Sequence, residues 1–145
     1  MAPTFFRILL ALVALYAFLR GSRDERIICA VLVIGVVATH FAWAPVHQRF
    51  AGVETDVMAV DIAVFGGFLW VALRSQRFWP LWIAGLQLTT LLGHVMKIVD
   101  LNLFPRAYGA ALMVWSYPIV LILAIGTWRT HQRSITDRRT AVTKN

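Results

Sequence analysis

One apolar stretch of the sequence carries four polar side chains at the spacing of a single helix face. Gln87, Thr90, His94 and Lys97 are separated by three, four and three positions. At 100° per residue these positions occupy an arc of about 80° on a helix. The spacing predicts a polar stripe that faces other helices or a water-filled cavity, because such a stripe cannot comfortably face lipid.

Two further ionisable residues, His40 and Asp61, lie inside two other apolar runs. Counted from the ends of these runs, His40, Asp61 and His94 lie at a similar depth, roughly 6–9 Å from one bilayer edge at about 1.5 Å per residue. Ionisable residues inside a membrane are costly, and they suggest a functional site. We therefore predict a polar binding cluster, which consists of His40, Asp61, Gln87, Thr90, His94 and Lys97.

The same residues also have a purely structural interpretation. Polar side chains often hydrogen-bond across membrane helices, at about 0.6 kcal/mol per contact, and hold a bundle together. Lys97 lies near the end of its run, so its stem can extend to the interface or its ammonium can pair with Asp100. Alternatively, Lys97 pairs with Asp61 across helices. The sequence leaves these alternatives open.

The sequence contains no recognisable cofactor or metal motif, and we expect neither a cofactor nor a metal. Two histidines at matched depth, His40 and His94, nevertheless permit haem with both imidazoles as axial ligands. A zinc site that adds His47 and Asp61 is a weaker alternative, because the spacing of these residues matches no common ligand pattern.

The elements that position these residues are long apolar runs. The chain has 145 residues, of which 59% are hydrophobic and 14% charged, whereas soluble domains are about half apolar and a quarter charged. Such hydrophobicity excludes intrinsic disorder, and one cysteine excludes an internal disulfide. The runs predict an all-α, multi-pass transmembrane helical bundle in one domain, residues 1–128, with five spans at 5–19, 27–46, 57–73, 78–99 and 107–128.

The first run, the fifth run and the tail each carry a further signal. The first run ends in Phe18-Leu19-Arg20 without a small-residue cleavage pattern, which predicts a retained helix rather than a signal peptide. Pro118, mid-way along the fifth run, predicts a kink. The basic tail, residues 129–145, lacks an apolar face, and we expect it to be loosely ordered.

The distribution of Lys and Arg predicts the orientation. Alternate connections carry ten basic residues on one side and four on the other, and the positive-inside rule places the richer side in the cytoplasm. The N-terminus is then outside and the tail inside, in the inner membrane if the cell is bacterial. We expect the basic loops and tail to contact anionic lipid headgroups. Nucleic-acid binding is not expected, because the charges flank apolar runs.

No catalytic motif appears in the sequence, and an enzyme is the less favoured class. The leading prediction is a non-enzymatic accessory or assembly component of a membrane complex, with a membrane protein partner or a homo-oligomer. The alternative is an outward-facing intramembrane polar site that handles a proton, ion, haem or small solute. A third is a membrane enzyme that acts on a lipid substrate, with the same groups as acid and base.

Overall fold

All regular structure in the described part of the chain is α-helical, as the sequence predicts. The computed structural model describes residues 2–42, 55–99 and 114–142. These residues form five helices, which are α1 (Ala2–Arg20), α2 (Arg23–Ala42), α3 (Thr55–Arg74), α4 (Trp79–Val99) and α5 (Ser116–Val142).

Three of the described helices, α2, α3 and α4, are long and apolar enough to cross a membrane. They contain 20, 20 and 21 residues, and about 20 residues of helix cover 30 Å of hydrocarbon. Helix α1 has 19 residues and includes Pro3 and Thr4, which lengthens the weak first run. Proline is tolerated there because the first turn of a helix does not need its N–H.

Helix α2 starts four residues earlier than its apolar run. Its first turn is Arg23-Asp24-Glu25-Arg26, which hydrophobicity alone excludes from a span. The backbone N–H of Ser22 donates to Glu25 Oε2 at 2.9 Å, so the side chain three residues on satisfies a group just before the helix. The start of α2 is therefore determined by polar capping and lies before the start of the apolar run.

The prediction of a loosely ordered tail is wrong for residues 129–142. Helix α5 continues through them to Val142. A segment without an apolar face has no reason to be buried, but it can still form a helix, and Arg and Gln are good helix formers.

Pro118 lies in the first turn of this helix rather than mid-way along it. Residues 107–113, which begin the predicted fifth span, lie outside the described residues.

Close packing of α2 on α3 depends on two glycines. A Cβ at Gly35 would lie 2.5 Å from Val64 Cγ2, and a Cβ at Gly67 would lie 2.9 Å from Val31 Cγ1. Position 35 therefore meets 64 while position 31 meets 67, so the two helices run antiparallel. Because glycine has no side chain, the axes of α2 and α3 approach closely at these positions, as they do at small residues in membrane bundles.

The core of the bundle is apolar and so is much of its outer surface. Ile28, Phe68, Ile83 and Leu123 are completely buried, and they come from α2, α3, α4 and α5. Large apolar side chains also remain exposed along the outer faces, for example Leu12, Phe41, Leu73, Leu92 and Leu121. Soluble monomers rarely expose contiguous apolar surface on this scale, and the surface is consistent with a membrane location.

Candidate functional site

A hydrogen-bonded polar cluster joins α3 to α4. Gln87 Nε2 donates to Asp61 Oδ1 at 3.0 Å. His94 Nε2 lies 2.9 Å from Asp61 Oδ2. Each oxygen of the Asp61 carboxylate therefore has its own partner on the facing helix, and the cluster is Asp61, Gln87 and His94.

The polar stripe of α4 faces the bundle interior, as its spacing predicts. His94 is completely buried, Lys97 is 1% exposed, and Gln87 and Thr90 are 6% and 7% exposed. Burial of this kind requires partners, because an unpaired polar group in an apolar interior costs several kcal/mol. Asp61 supplies such partners for two members of the stripe.

The Asp61 carboxylate pairs with His94 rather than with Lys97. The described contacts of the carboxylate are the two to Gln87 and His94, and the basic group within 4 Å of it among the described residues is the imidazole of His94. Lys97 lies one turn beyond His94 on the same face and is itself buried. The pairing of Lys97 with Asp61, one of the alternatives that the sequence leaves open, is thus not the arrangement found.

The members of the cluster differ in their exposure to solvent. The Asp61 side chain is 17% exposed, whereas the His94 side chain has no exposed surface. Asp61 is six residues from the start of α3 and His94 is five from the end of α4, which places both roughly 7–9 Å from those helix ends. We refer to this end of the bundle, near Thr55 and Val99, as the Val99 end.

The structure does not bring His40 to the cluster. His40 is exposed, and its ring lies edge-on against Phe41 with centroids 5.9 Å apart. The sequence predicts a depth for His40 similar to that of His94, but His40 points away from the cluster, because the buried face of α2 passes through Ile28, Leu32 and Gly35. A haem between His40 and His94 gains no support, since the imidazole of His94 is buried against Asp61.

The structure also gives no support to a metal centre. Within residues 2–42, 55–99 and 114–142, no three His, Cys, Asp or Glu side chains are grouped so as to hold a metal ion. His47, a member of the zinc alternative, lies outside these ranges, as does Asp100, the other partner considered for Lys97.

A second polar cluster, which the sequence analysis missed, surrounds Glu25 at the opposite end of the bundle. Arg77 Nη1 and Thr130 Oγ1 each donate to Glu25 Oε1 at 2.6 Å. The N–H and the hydroxyl of Ser22 both donate to Glu25 Oε2. Glu25 is completely buried and Arg77 is 31% exposed, so this carboxylate links α2, the α3–α4 connection and α5.

The α3–α4 connection is held by a neighbouring contact. Ser75 Oγ donates to Asp24 Oδ2 at 2.6 Å and accepts from the N–H of Arg77 at 3.2 Å. Ser75 therefore positions Arg77 for Glu25. The signal in the sequence was Ser22-x-x-Glu25, the spacing of a capping box, which identifies Glu25 as a local cap but not as the centre of a three-part network.

Comparisons with known protein families, with curated proteins and with solved structures find no match.

Proposed function

We propose that this chain is an integral membrane protein with five spans, its N-terminus outside and its C-terminus in the cytoplasm, in the inner membrane if the cell is bacterial. Three apolar helices support membrane insertion, and the ten-to-four distribution of basic residues supports the orientation. Reporter fusions to the two termini should report opposite compartments. Reporters in the same compartment would refute an odd number of spans.

Of the functions that the sequence leaves open, the geometry favours the intramembrane polar site, and we propose that this site binds and transfers protons. The observation that carries the proposal is the 2.9 Å contact between His94 Nε2 and Asp61 Oδ2 inside an apolar bundle. Chains of Asp, Glu and His within membranes are the groups that relay protons. In the proposed orientation the Val99 end faces outward.

The members of the cluster would have distinct tasks. Asp61, with 17% of its side chain exposed, exchanges protons with the outer side. His94 is buried and its Nε2 lies 2.9 Å from Asp61 Oδ2, so a proton taken up at Asp61 passes to Nε2 while the imidazole releases its other proton from Nδ1. Gln87 Nε2 donates to Oδ1 and keeps the carboxylate directed at the imidazole.

Proton flux into vesicles tests this proposal. We expect the purified protein, reconstituted with a pH-sensitive dye inside the vesicles, to collapse an imposed pH gradient faster than protein-free vesicles do. Asp61→Asn keeps the shape of the side chain and should slow the protein-dependent flux roughly tenfold or more, because the carboxylate that carries the proton is lost.

The matched control is Asp24→Asn, which makes the same chemical change at the start of α2, at the opposite end of the bundle. Asp24 accepts a hydrogen bond from Ser75, and an amide oxygen can replace that acceptor, so this variant should conduct like the original protein. Flux equal to that of empty vesicles, or equal flux in Asp61→Asn and the original protein, would refute the proton site.

A second proposal is the accessory or assembly role, with a membrane protein partner or a homo-oligomer. Gly66 of α3 and Gly85 of α4 are exposed, and a Cβ at either position would meet no atom within 4 Å. Such open glycines let another helix approach closely. Purification in gentle detergent should then recover a stoichiometric partner or oligomer that Gly66→Leu and Gly85→Leu remove. Recovery of a lone monomer would count against this role.

A further inference from the structure

A cleft of about 350 Å³ lies between the start of α4 and the middle of α5. One part of its wall is polar and the other is apolar. The residues that line it are Gln76, Arg77, Phe78, Trp79, Ile122, Ile125, Gly126, Arg129, Thr130 and Arg133. These include three arginines and no acidic residue, so the cleft presents positive charge.

The positive charge comes mainly from α5. Arg77 is neutralised by Glu25, whereas Arg129 and Arg133 form no ion pair with any other described residue. They are four residues apart, which places them on one face of the helix. Both are exposed, so their guanidinium groups are available to an anion and present the fork geometry that suits a phosphate.

The apolar part of the cleft distinguishes a lipid from a free anion. Phe78 and Ile125 are exposed apolar side chains that line the same cleft. Phe78 follows Arg77 directly in the chain, and Ile125 precedes Arg129 by four residues. The ring of Trp79 lies over Gly126, where a Cβ would be 3.0 Å from Trp79 Cδ2. An occupant that has a phosphate at one end and hydrocarbon at the other matches both parts of the wall.

A polar atom in the wall also lacks a partner. Trp79 Nε1 is buried and has no hydrogen-bond partner among the described residues. Indole N–H groups usually find an acceptor when buried. Trp79 lines the cleft with its ring, but Nε1 is closed to solvent, so an oxygen of an occupant reaches it only if the indole shifts.

We propose that this cleft is a binding site for the headgroup of an anionic phospholipid, seated by Arg129 and Arg133 with its glycerol region against Phe78 and Ile125. The proposal rests on membrane insertion but not on the proton site. It gives a specific location to the attraction between basic loops and anionic headgroups that the sequence predicts. In the five-span arrangement the lipid belongs to the cytoplasmic leaflet.

Lipid binding by the full chain in a neutral detergent tests the site. Native mass spectrometry would follow the retention of phosphatidylglycerol and phosphatidylcholine, each titrated separately. We expect selective retention of phosphatidylglycerol. The double substitution Arg129→Gln/Arg133→Gln should weaken it roughly 30-fold, since each arginine near anionic lipid contributes roughly a fivefold factor.

The control is Arg20→Gln/Arg26→Gln, which removes the same charge from two exposed arginines outside the cleft. This variant should retain phosphatidylglycerol as the original protein does. Equal losses in both double variants, or equal retention of the two lipids, would overturn the site. So would displacement of phosphatidylglycerol by millimolar inorganic phosphate, which would mean that the cleft binds the anion alone.

The outcomes are separable from those of the functional proposal. Because the replaced arginines are exposed, circular dichroism and gel filtration should show an intact helical bundle in both double variants. If the original protein shows no lipid selectivity but normal proton flux, only the lipid site is refuted. If it shows no proton flux but normal lipid selectivity, only the proton site is refuted.

Discussion

Glu25→Ala is expected to lower the free energy of unfolding in detergent by about 3 kcal/mol. The substitution leaves Arg77 and Thr130 without the carboxylate oxygen that both contact at 2.6 Å. Removal of one member of a buried ion pair is costly because the remaining charge stays desolvated. We place the effect at the lower end of the usual range because Arg77 is 31% exposed, and water can reach it. A denaturant titration in micelles measures the loss.

Asp24→Ala provides the comparison within the same helical turn. Asp24 accepts one hydrogen bond, from Ser75, and the loss of one such bond costs about 1 kcal/mol. The difference between the two variants therefore reports on the Glu25 network rather than on any carboxylate in the first turn of α2. Equal destabilisation would contradict a special role for Glu25.

A double variant distinguishes the contribution of the Glu25–Arg77 ion pair to stability from the contribution of the packing around it. Replacement of both partners, Glu25→Met with Arg77→Met, should recover most of the stability, because apolar residues of similar volume often substitute for a buried ion pair without loss. The pair couples α2 to the α3–α4 connection, so a large coupling energy in this cycle is expected.

His94→Leu is expected to destabilise the bundle by about 3 kcal/mol and to abolish protein-dependent proton flux. It leaves the Asp61 carboxylate largely buried, with Gln87 as its described partner. The protein should still insert, since the substitution makes α4 more apolar. Unfolding titrations and the vesicle assay measure the two effects separately.

The double variant Asp61→Leu/His94→Leu distinguishes proton transfer from packing. Because no lone charge remains, its stability should return close to that of the original protein. Its proton flux should remain absent, because both titrating groups are gone. A double variant that is stable and still conducts would assign the Asp61–His94 pair to packing alone.

Much of the fold follows from hydrophobicity and spacing. The long apolar runs predict helices, and the interval of three, four and three from Gln87 to Lys97 predicts an inward stripe. Both predictions depend only on local geometry, because a helix fixes which residues share a face. The same reasoning fails at helix ends, where capping by Ser22 and Glu25 extends α2, and in the tail, where helix continues without an apolar face.

Spacing along the sequence was not enough to predict which residues make up the site. Depth is readable from the sequence, since each residue advances the helix by about 1.5 Å, and Asp61 and His94 do meet. Direction around the helix axis, however, depends on which face packs on which neighbour. The sequence predicts the same depth for His40 and His94, but His40 is exposed, and the Asp61 carboxylate contacts His94 rather than Lys97.

The sequence by itself determined that the chain is helical and apolar enough for a membrane, and it determined which side chains of α4 lie on one face. Only the tertiary structure decided which partners those side chains meet. It joins Asp61 to His94 across 33 positions and Glu25 to Thr130 across 105. The reason is physical: periodicity acts along one helix, whereas contacts between helices depend on the order, tilt and rotation of elements that are distant in the chain.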